Sequence, residues 1–131
     1  MTAATTRHLF ILTGASRGMG HAMAGQLLAP GHTVLTLARR PYEALASRAA
    51  AAGATLTQWS ADLADAAPVA ARLADWLAAH DGAAFASSAL INNAGVIPAI
   101  VPLRDAAPAD LANALRVGLE APMQLTAAFL H

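Results

Sequence analysis

The octapeptide TGASRGMG at residues 13–20 follows directly on an apolar run and places glycines at 14, 18 and 20. Glycines in a turn between a strand and a helix let backbone N–H groups and a helix N-terminus face an anion, so the chemistry such a turn serves is phosphate binding. Each glycine has its own use. Gly14 lets the chain leave the strand sharply, Gly18 lets the backbone approach a pyrophosphate, and Gly20, in the first helical turn, allows helix and strand to pack closely. Two other phosphate cradles fail, one on residue type and one on spacing. A P-loop requires a lysine, and all eight basic residues here are arginine; the spacing GxxxGxG is also not the GxGxxG of the common dinucleotide turn.

A second candidate is the arginine pair in TVLTLARR, residues 33–40. In dinucleotide-binding folds the end of the second strand reads the adenosine ribose, with a carboxylate for the 2′-hydroxyl of NAD or an arginine for the 2′-phosphate of NADP. Ala38 stands where the carboxylate would be, Arg39 and Arg40 follow at once, and Arg17 lies inside the glycine turn. Planar guanidinium groups suit bidentate phosphate binding. These residues predict NADP(H) as cofactor, with Arg39 the main contact and Arg40 closer to a solvated charge. Ser16 has a use on the cofactor phosphate or ribose, since neither it nor Ser87 or Ser88 has a histidine and an acid arranged nearby in sequence. His21 reads as a solvent-facing helix residue. His8, His32 and His80 sit at element ends without ligand spacing, so no metal site is expected.

These candidates need elements to hold them. HLFILT (8–13), TVLTLA (33–38), the more polar TLTQWS (55–60) and SALINN (88–93) read as strands. Between them, helical spacing runs over about 19–29, from Pro41 in a first turn to a stop at Gly53, and over 66–80, where Val69, Leu73, Trp76 and Leu77 share a face. Trp59 and Trp76 read as packing residues. A last helix starts at Pro108 and carries Leu111, Leu115, Leu119 and Met123 at regular spacing, with no stop signal before His131. Strand and helix in alternation imply right-handed βαβ units and a parallel sheet covered by helices on both faces, an α/β fold of Rossmann type.

Length and charge set the bounds. A chain of 131 residues is about one domain, and 8 basic residues balance 8 acidic ones with no basic cluster, which excludes a nucleic-acid footprint. The hydrophobic content is mostly alanine, and no apolar stretch approaches the ~20 residues of a bilayer span. A membrane partner is therefore not expected, and the cytoplasm is the expected compartment. With no cysteine, disulfides and thiolate chemistry are absent from the chain.

The glycine turn, the ADL at 61–63 after the third strand, and the NNAG at 92–95 ending the fourth appear in this order with matching elements between them. In this the chain resembles the short-chain dehydrogenase/reductase family over essentially its whole length. The segments LINNAGVIPAIVPL and LEAPMQLTAAFL are most similar to its sepiapterin-reductase-like and benzil-reductase-like branch. The resemblance implies about four strands in the order 3-2-1-4, as part of a larger family fold. It also implies a cofactor cleft lined by Gly14, Ser16, Arg17, Gly18, Met19, Gly20, Arg39, Arg40, Asp62, Leu63, Asn93, Ala94, Gly95 and Val117, with Asp62 at the adenine.

It further implies hydride transfer to or from a carbonyl or alcohol substrate, using a serine, a tyrosine and a lysine from segments that would follow the last helix. No YxxxK occurs in these residues, where Tyr42 is the lone tyrosine. The chain is thus expected to be the N-terminal cofactor half of an oxidoreductase, interrupted within or just after the last helix and inactive by itself. A truncated gene product and a free-standing, non-catalytic NADP-binding module are the alternatives. Family members pack the last helix against a neighbouring subunit, and its apolar residues here lie on more than one face, so a homo-oligomer is expected. Gly118 stands where the family usually carries an asparagine of a proton relay. Pro122, four residues on, has no N–H for the Gly118 carbonyl, which would open that turn and free the oxygen for a water.

Overall fold

The computed structural model of the chain describes residues 5–131. Four strands, β1 (His8–Thr13), β2 (Thr33–Ala38), β3 (Thr55–Ser60) and β4 (Ser87–Ile91), form one parallel sheet in the order β3-β2-β1-β4. The first three strands run over the residues that the sequence predicts for them. β4 stops two residues early, because Asn93 leaves the ladder to hydrogen-bond the end of β1.

The helices are α1 (Gly18–Leu27), α2 (Glu43–Ala52), α3 (Ala66–Ala78), α4 (Pro108–Leu115) and α5 (Ala121–Leu130), with short 3-10 turns at Gly82–Ala84 and Leu103–Asp105. The chain divides into two compact units. One holds residues 5–61 together with His80–Asn93; the other holds Asp62–Ala79 and Ala94–His131.

In the first unit, α1 and α2 pack on the sheet through a core of Leu12, Ala15, Ala24, Leu28, Val34, Leu45 and Ala49. Val34, Leu35 and Leu37 in β2 are all fully buried, so both faces of this strand are covered, as an inner strand of a parallel sheet requires. Gly53 ends α2 in the left-handed conformation (φ 70°), its N–H bonded back to Ala49 and Ala50. The start of α2 differs from the sequence reading. Pro41 lies outside the helix and Tyr42 is extended (φ −116°, ψ 109°), because the Gln58 side chain bonds both the N–H and the carbonyl of Tyr42.

In the second unit, α3 packs on α5, with Leu73 and Leu125 fully buried. The helix that the sequence reads as continuous from Pro108 widens between α4 and α5 into a π-helical turn, Arg116–Glu120, where the Ala121 N–H reaches back to the carbonyl of Arg116. Pro122 supplies the cause: lacking an N–H, it cannot continue the i to i−4 ladder. No helix among the described residues is long and apolar enough to cross a membrane.

Candidate functional site

At the carboxyl end of β1 the chain turns through Gly14 (φ 74°), whose N–H bonds the carbonyl of Leu37 at the end of β2 (2.8 Å). Gly18, at φ 57°, is the second residue that needs the left-handed region, and beyond its chain neighbours and its own helix backbone no heavy atom lies within 4 Å of where its Cβ would be. Gly20 is glycine for another reason. A Cβ there would run into the carbonyl oxygen of Gly14 and the Nδ2 of Asn93, so helix α1 can approach the strand ends this closely only without a side chain.

Asn93 locks the turn from the other side. Its backbone N–H donates to the Thr13 hydroxyl (3.0 Å), and its Nδ2 donates to the carbonyls of Thr13 (3.2 Å) and Gly14 (3.3 Å). The Asn93 side chain is thereby committed to holding β1 and β4 together, and its contribution to a ligand site is to fix the turn's shape. Helix geometry leaves the N–H groups of the first turn, at Gly18, Met19 and Gly20, without partners inside α1. The first bond of the helix is His21 N–H to the Arg17 carbonyl. Ser16, Arg17 and Met19 are exposed beside these donors.

The arginine pair lies just past β2. Arg39 and Arg40 are exposed, and neither they nor Arg17 makes an ion pair among the described residues. The segment carrying the pair is fixed: Ser60 Oγ donates to the Arg39 carbonyl (2.9 Å), Gln58 grips Tyr42, and the Tyr42 ring meets His21 edge-on at 4.6 Å. Gln58 and Ser60 escape a reading of the sequence, which registers them only as what makes TLTQWS polar for a strand. The polarity itself was the signal, since the side chains at this end of β3 bond the backbone beside it.

The remaining predicted residues belong to the second unit. Asp62 is exposed, and its Oδ1 accepts the Ala64 N–H (2.9 Å), so one carboxylate oxygen already shapes the turn into α3. The Leu63 side chain is buried, which leaves only its backbone to meet a ligand. Gly95 is exposed and Ala94 half-buried. Val117 is half-buried in the π-helical turn, and Gly118 beside it has open space around its Cβ position. Among the described residues no group of three His, Cys, Asp or Glu side chains could hold a metal ion.

These donors and charges fit a dinucleotide phosphate. The turn supplies free N–H groups at a helix N-terminus, Gly18 leaves open space beside them, and unpaired guanidinium groups flank it. A dinucleotide there would be held through the N–H groups of Gly18, Met19 and Gly20 and the neighbouring guanidinium groups.

Comparison with known proteins agrees with this geometry. The family model for short chain dehydrogenase matches residues 8–131. The chain is 31% identical over 120 residues to a benzil reductase ((S)-benzoin forming) of Bacillus cereus, an alignment covering 92% of this chain and 48% of that enzyme. It is also 31% identical over 121 residues to the enzyme of that name from Bacillus subtilis, covering 92% and 47%. It thus spans about half the length of the curated relatives it matches. Among solved structures, a short-chain dehydrogenase/reductase from Burkholderia vietnamiensis superposes with a TM-score of 0.79 at 36% identity, over 97% of this chain and 57% of that one. A metagenomic short-chain oxidoreductase in complex with NADP superposes with a TM-score of 0.82 at 34% identity, over 94% and 55%. By the family model that takes in all but its first seven residues, and by the glycine turn and Asn93 clamp that it folds around, the chain belongs to the short-chain dehydrogenase family.

Proposed function

We propose that these 131 residues form the cofactor-binding half of an NADP(H)-dependent oxidoreductase that moves hydride between the nicotinamide and a carbonyl or alcohol substrate. The observation that carries this reading is the arginine pair, exposed and unpaired directly after β2, where Ala38 offers no carboxylate to repel a 2′-phosphate. The NADP in the metagenomic relative supports the same cofactor. In this reading Arg39 takes the 2′-phosphate, with Arg40 and Arg17 adding positive potential. The first-turn N–H groups at Gly18, Met19 and Gly20 take the pyrophosphate, and Asp62 and Leu63 meet the adenine. Ala94, Gly95 and Val117 serve the nicotinamide end, and Asn93 keeps the glycine turn in shape. The Gly118 carbonyl has a water-holding role in a longer enzyme. The compartment in this reading is the cytoplasm.

Titration calorimetry with NADPH and NADH tests the cofactor. A charge-assisted hydrogen bond contributes about 1.5–3 kcal/mol, so Arg39→Ala is expected to weaken NADPH about 10- to 150-fold and leave NADH nearly unchanged. Equal losses for both would refute NADP selectivity.

A protein of these 131 residues is expected to bind NADPH without turning over diketones, pterin carbonyls or aldehydes. A positioned acid contributes about 10²–10⁴ in rate, and the chain has no lysine to tune its one tyrosine. NADPH oxidation followed by absorbance decides this. Steady turnover would refute the half-enzyme reading; turnover that requires a second segment bearing YxxxK would support it over a non-catalytic NADP-binding module.

A further inference from the structure

The four residues after β2 are held more firmly than an exposed connection needs. The parallel ladder sets Thr36 opposite Gln58 and Ala38 opposite Ser60, and it closes with the Ala61 N–H on the Ala38 carbonyl (2.9 Å). Beyond that point the tethers come from side chains of β3. Ser60 Oγ donates to the carbonyl of Arg39 at 2.9 Å. The Gln58 carboxamide accepts the Tyr42 N–H at 2.8 Å and donates to the Tyr42 carbonyl at 3.1 Å, pairing with one residue's backbone as a neighbouring strand would. Arg39 and Arg40 therefore lie between two fixed points, with a third contact where the Tyr42 ring meets His21 one residue after Gly20.

We propose that Gln58, aided by Ser60, is a positioning residue for dinucleotide selection, fixing the Arg39–Tyr42 backbone so that Arg39 is presented to a 2′-phosphate with Arg40 next to it in the chain. The inference rests on the NADP(H) reading above. Its physical basis is preorganisation: a loop already ordered loses little freedom when it binds. A carboxamide suits the task because it offers one acceptor and one donor in a plane, matching the N–H and C=O of a single extended residue. Tyr42 is held in that extended conformation, and the arginines gain a constrained approach at the cost of a later start for α2. The 2′-hydroxyl of NAD makes no comparable demand on the guanidinium pair, so loss of the tether should fall on NADP.

Titration of the 131-residue protein with NADP⁺ and NAD⁺ tests this, using Gln58→Ala and Gln58→Met, the latter keeping the volume while removing both bonds. Thermal melts verify folding, and should one variant fail to fold the other carries the measurement. The expected result is a rise of about 5- to 10-fold in Kd for NADP⁺, within about 2-fold for NAD⁺, a size suited to a loop that must order itself on binding. The selectivity lost through Gln58→Met should vanish in the Arg39→Ala background, because the tether acts through the arginine. Equal weakening of both dinucleotides, unchanged selectivity, or an undiminished effect in the Arg39→Ala background would each overturn the role of Gln58. Failure of the underlying reading looks different. With Gln58 intact, a protein that binds NADP⁺ and NAD⁺ alike, or whose selectivity ignores Arg39→Ala, would overturn the NADP reading and the positioning role with it.

Discussion

At the ends of β1 and β4, Asn93 makes three hydrogen bonds to a single turn, while between Val96 and Leu103 the chain leaves Ile97 83% and Ile100 94% exposed. The first region spends its polar groups on holding backbone. The second presents apolar side chains, and α4, the π-helical turn and α5 continue the pattern with exposed Leu115, Leu119 and Met123 along an open groove of about 350 Å³. The glycine turn is finished within its own compact unit. The apolar segment carries large side chains of a kind that proteins ordinarily cover, and we propose a second copy of this chain as what covers the groove. Substitutions in the two regions should therefore differ in kind: in the first they damage shape and ligand binding, in the second they alter association.

The largest effect is expected from Gly20→Ala. One methyl group placed against the Gly14 carbonyl and the Asn93 amide must displace backbone rather than a flexible side chain. Overpacking typically costs about 1–3 kcal/mol, and the upper part of that range applies where the obstruction is main chain. A drop of several degrees in melting temperature is expected, together with loss of NADP⁺ affinity. Unchanged binding would mean that the closeness of α1 to the strand ends is dispensable.

A charge on the apolar face should act in the opposite way. Leu119→Glu alters an exposed residue, so the stability of an isolated chain should move by no more than about 0.5 kcal/mol. Association should fall sharply, because a carboxylate buried in an apolar interface keeps its desolvation cost without a partner. Light scattering at tens of micromolar gives the answer: an oligomer for the unmodified chain and a monomer for the variant. A monomer in both cases would remove the second copy as occupant of the groove.

The same division governs what a reader of the sequence can see. Strands β1 and β2 are visible to the residue because apolar runs are bounded by glycine or charge, the more polar β3 because it lies between Gly53 and Asp62, and Gly20 is visible because its spacing from Gly14 has a steric meaning. The tethers are not visible. That Gln58 reaches Tyr42 depends on strand register and on a side-chain direction that no periodicity encodes, and this contact is what moves the start of α2 from Pro41 to Glu43. The early end of β4 has the same origin in Asn93. In the apolar segment, spacing reveals a helix from Pro108, yet its widening at Arg116–Glu120 is foreseen only as a missing N–H at Pro122. The form taken by that defect is set by packing around it.

The smallest effect is expected at Gly118, and it probes that widened turn. An added Cβ would meet no heavy atom within 4 Å beyond its chain neighbours and its own helix backbone, so space does not require glycine there. Gly118 is not among the glycines with positive φ, so backbone conformation does not require it either. What remains is the entropy of an unconstrained residue, and replacing glycine by alanine in a helix interior recovers about 0.5–1 kcal/mol. Gly118→Ala should thus raise the melting temperature by a few degrees and leave NADP⁺ binding unchanged. A fall in stability would show that the π-helical turn needs glycine, because the lost i−4 bond at Pro122 is accommodated by dihedral adjustments that alanine resists. Pro122→Ala separates the cases: with the N–H restored the turn can tighten into regular helix, and Gly118→Ala made in that background should then gain its full helix-propensity increment.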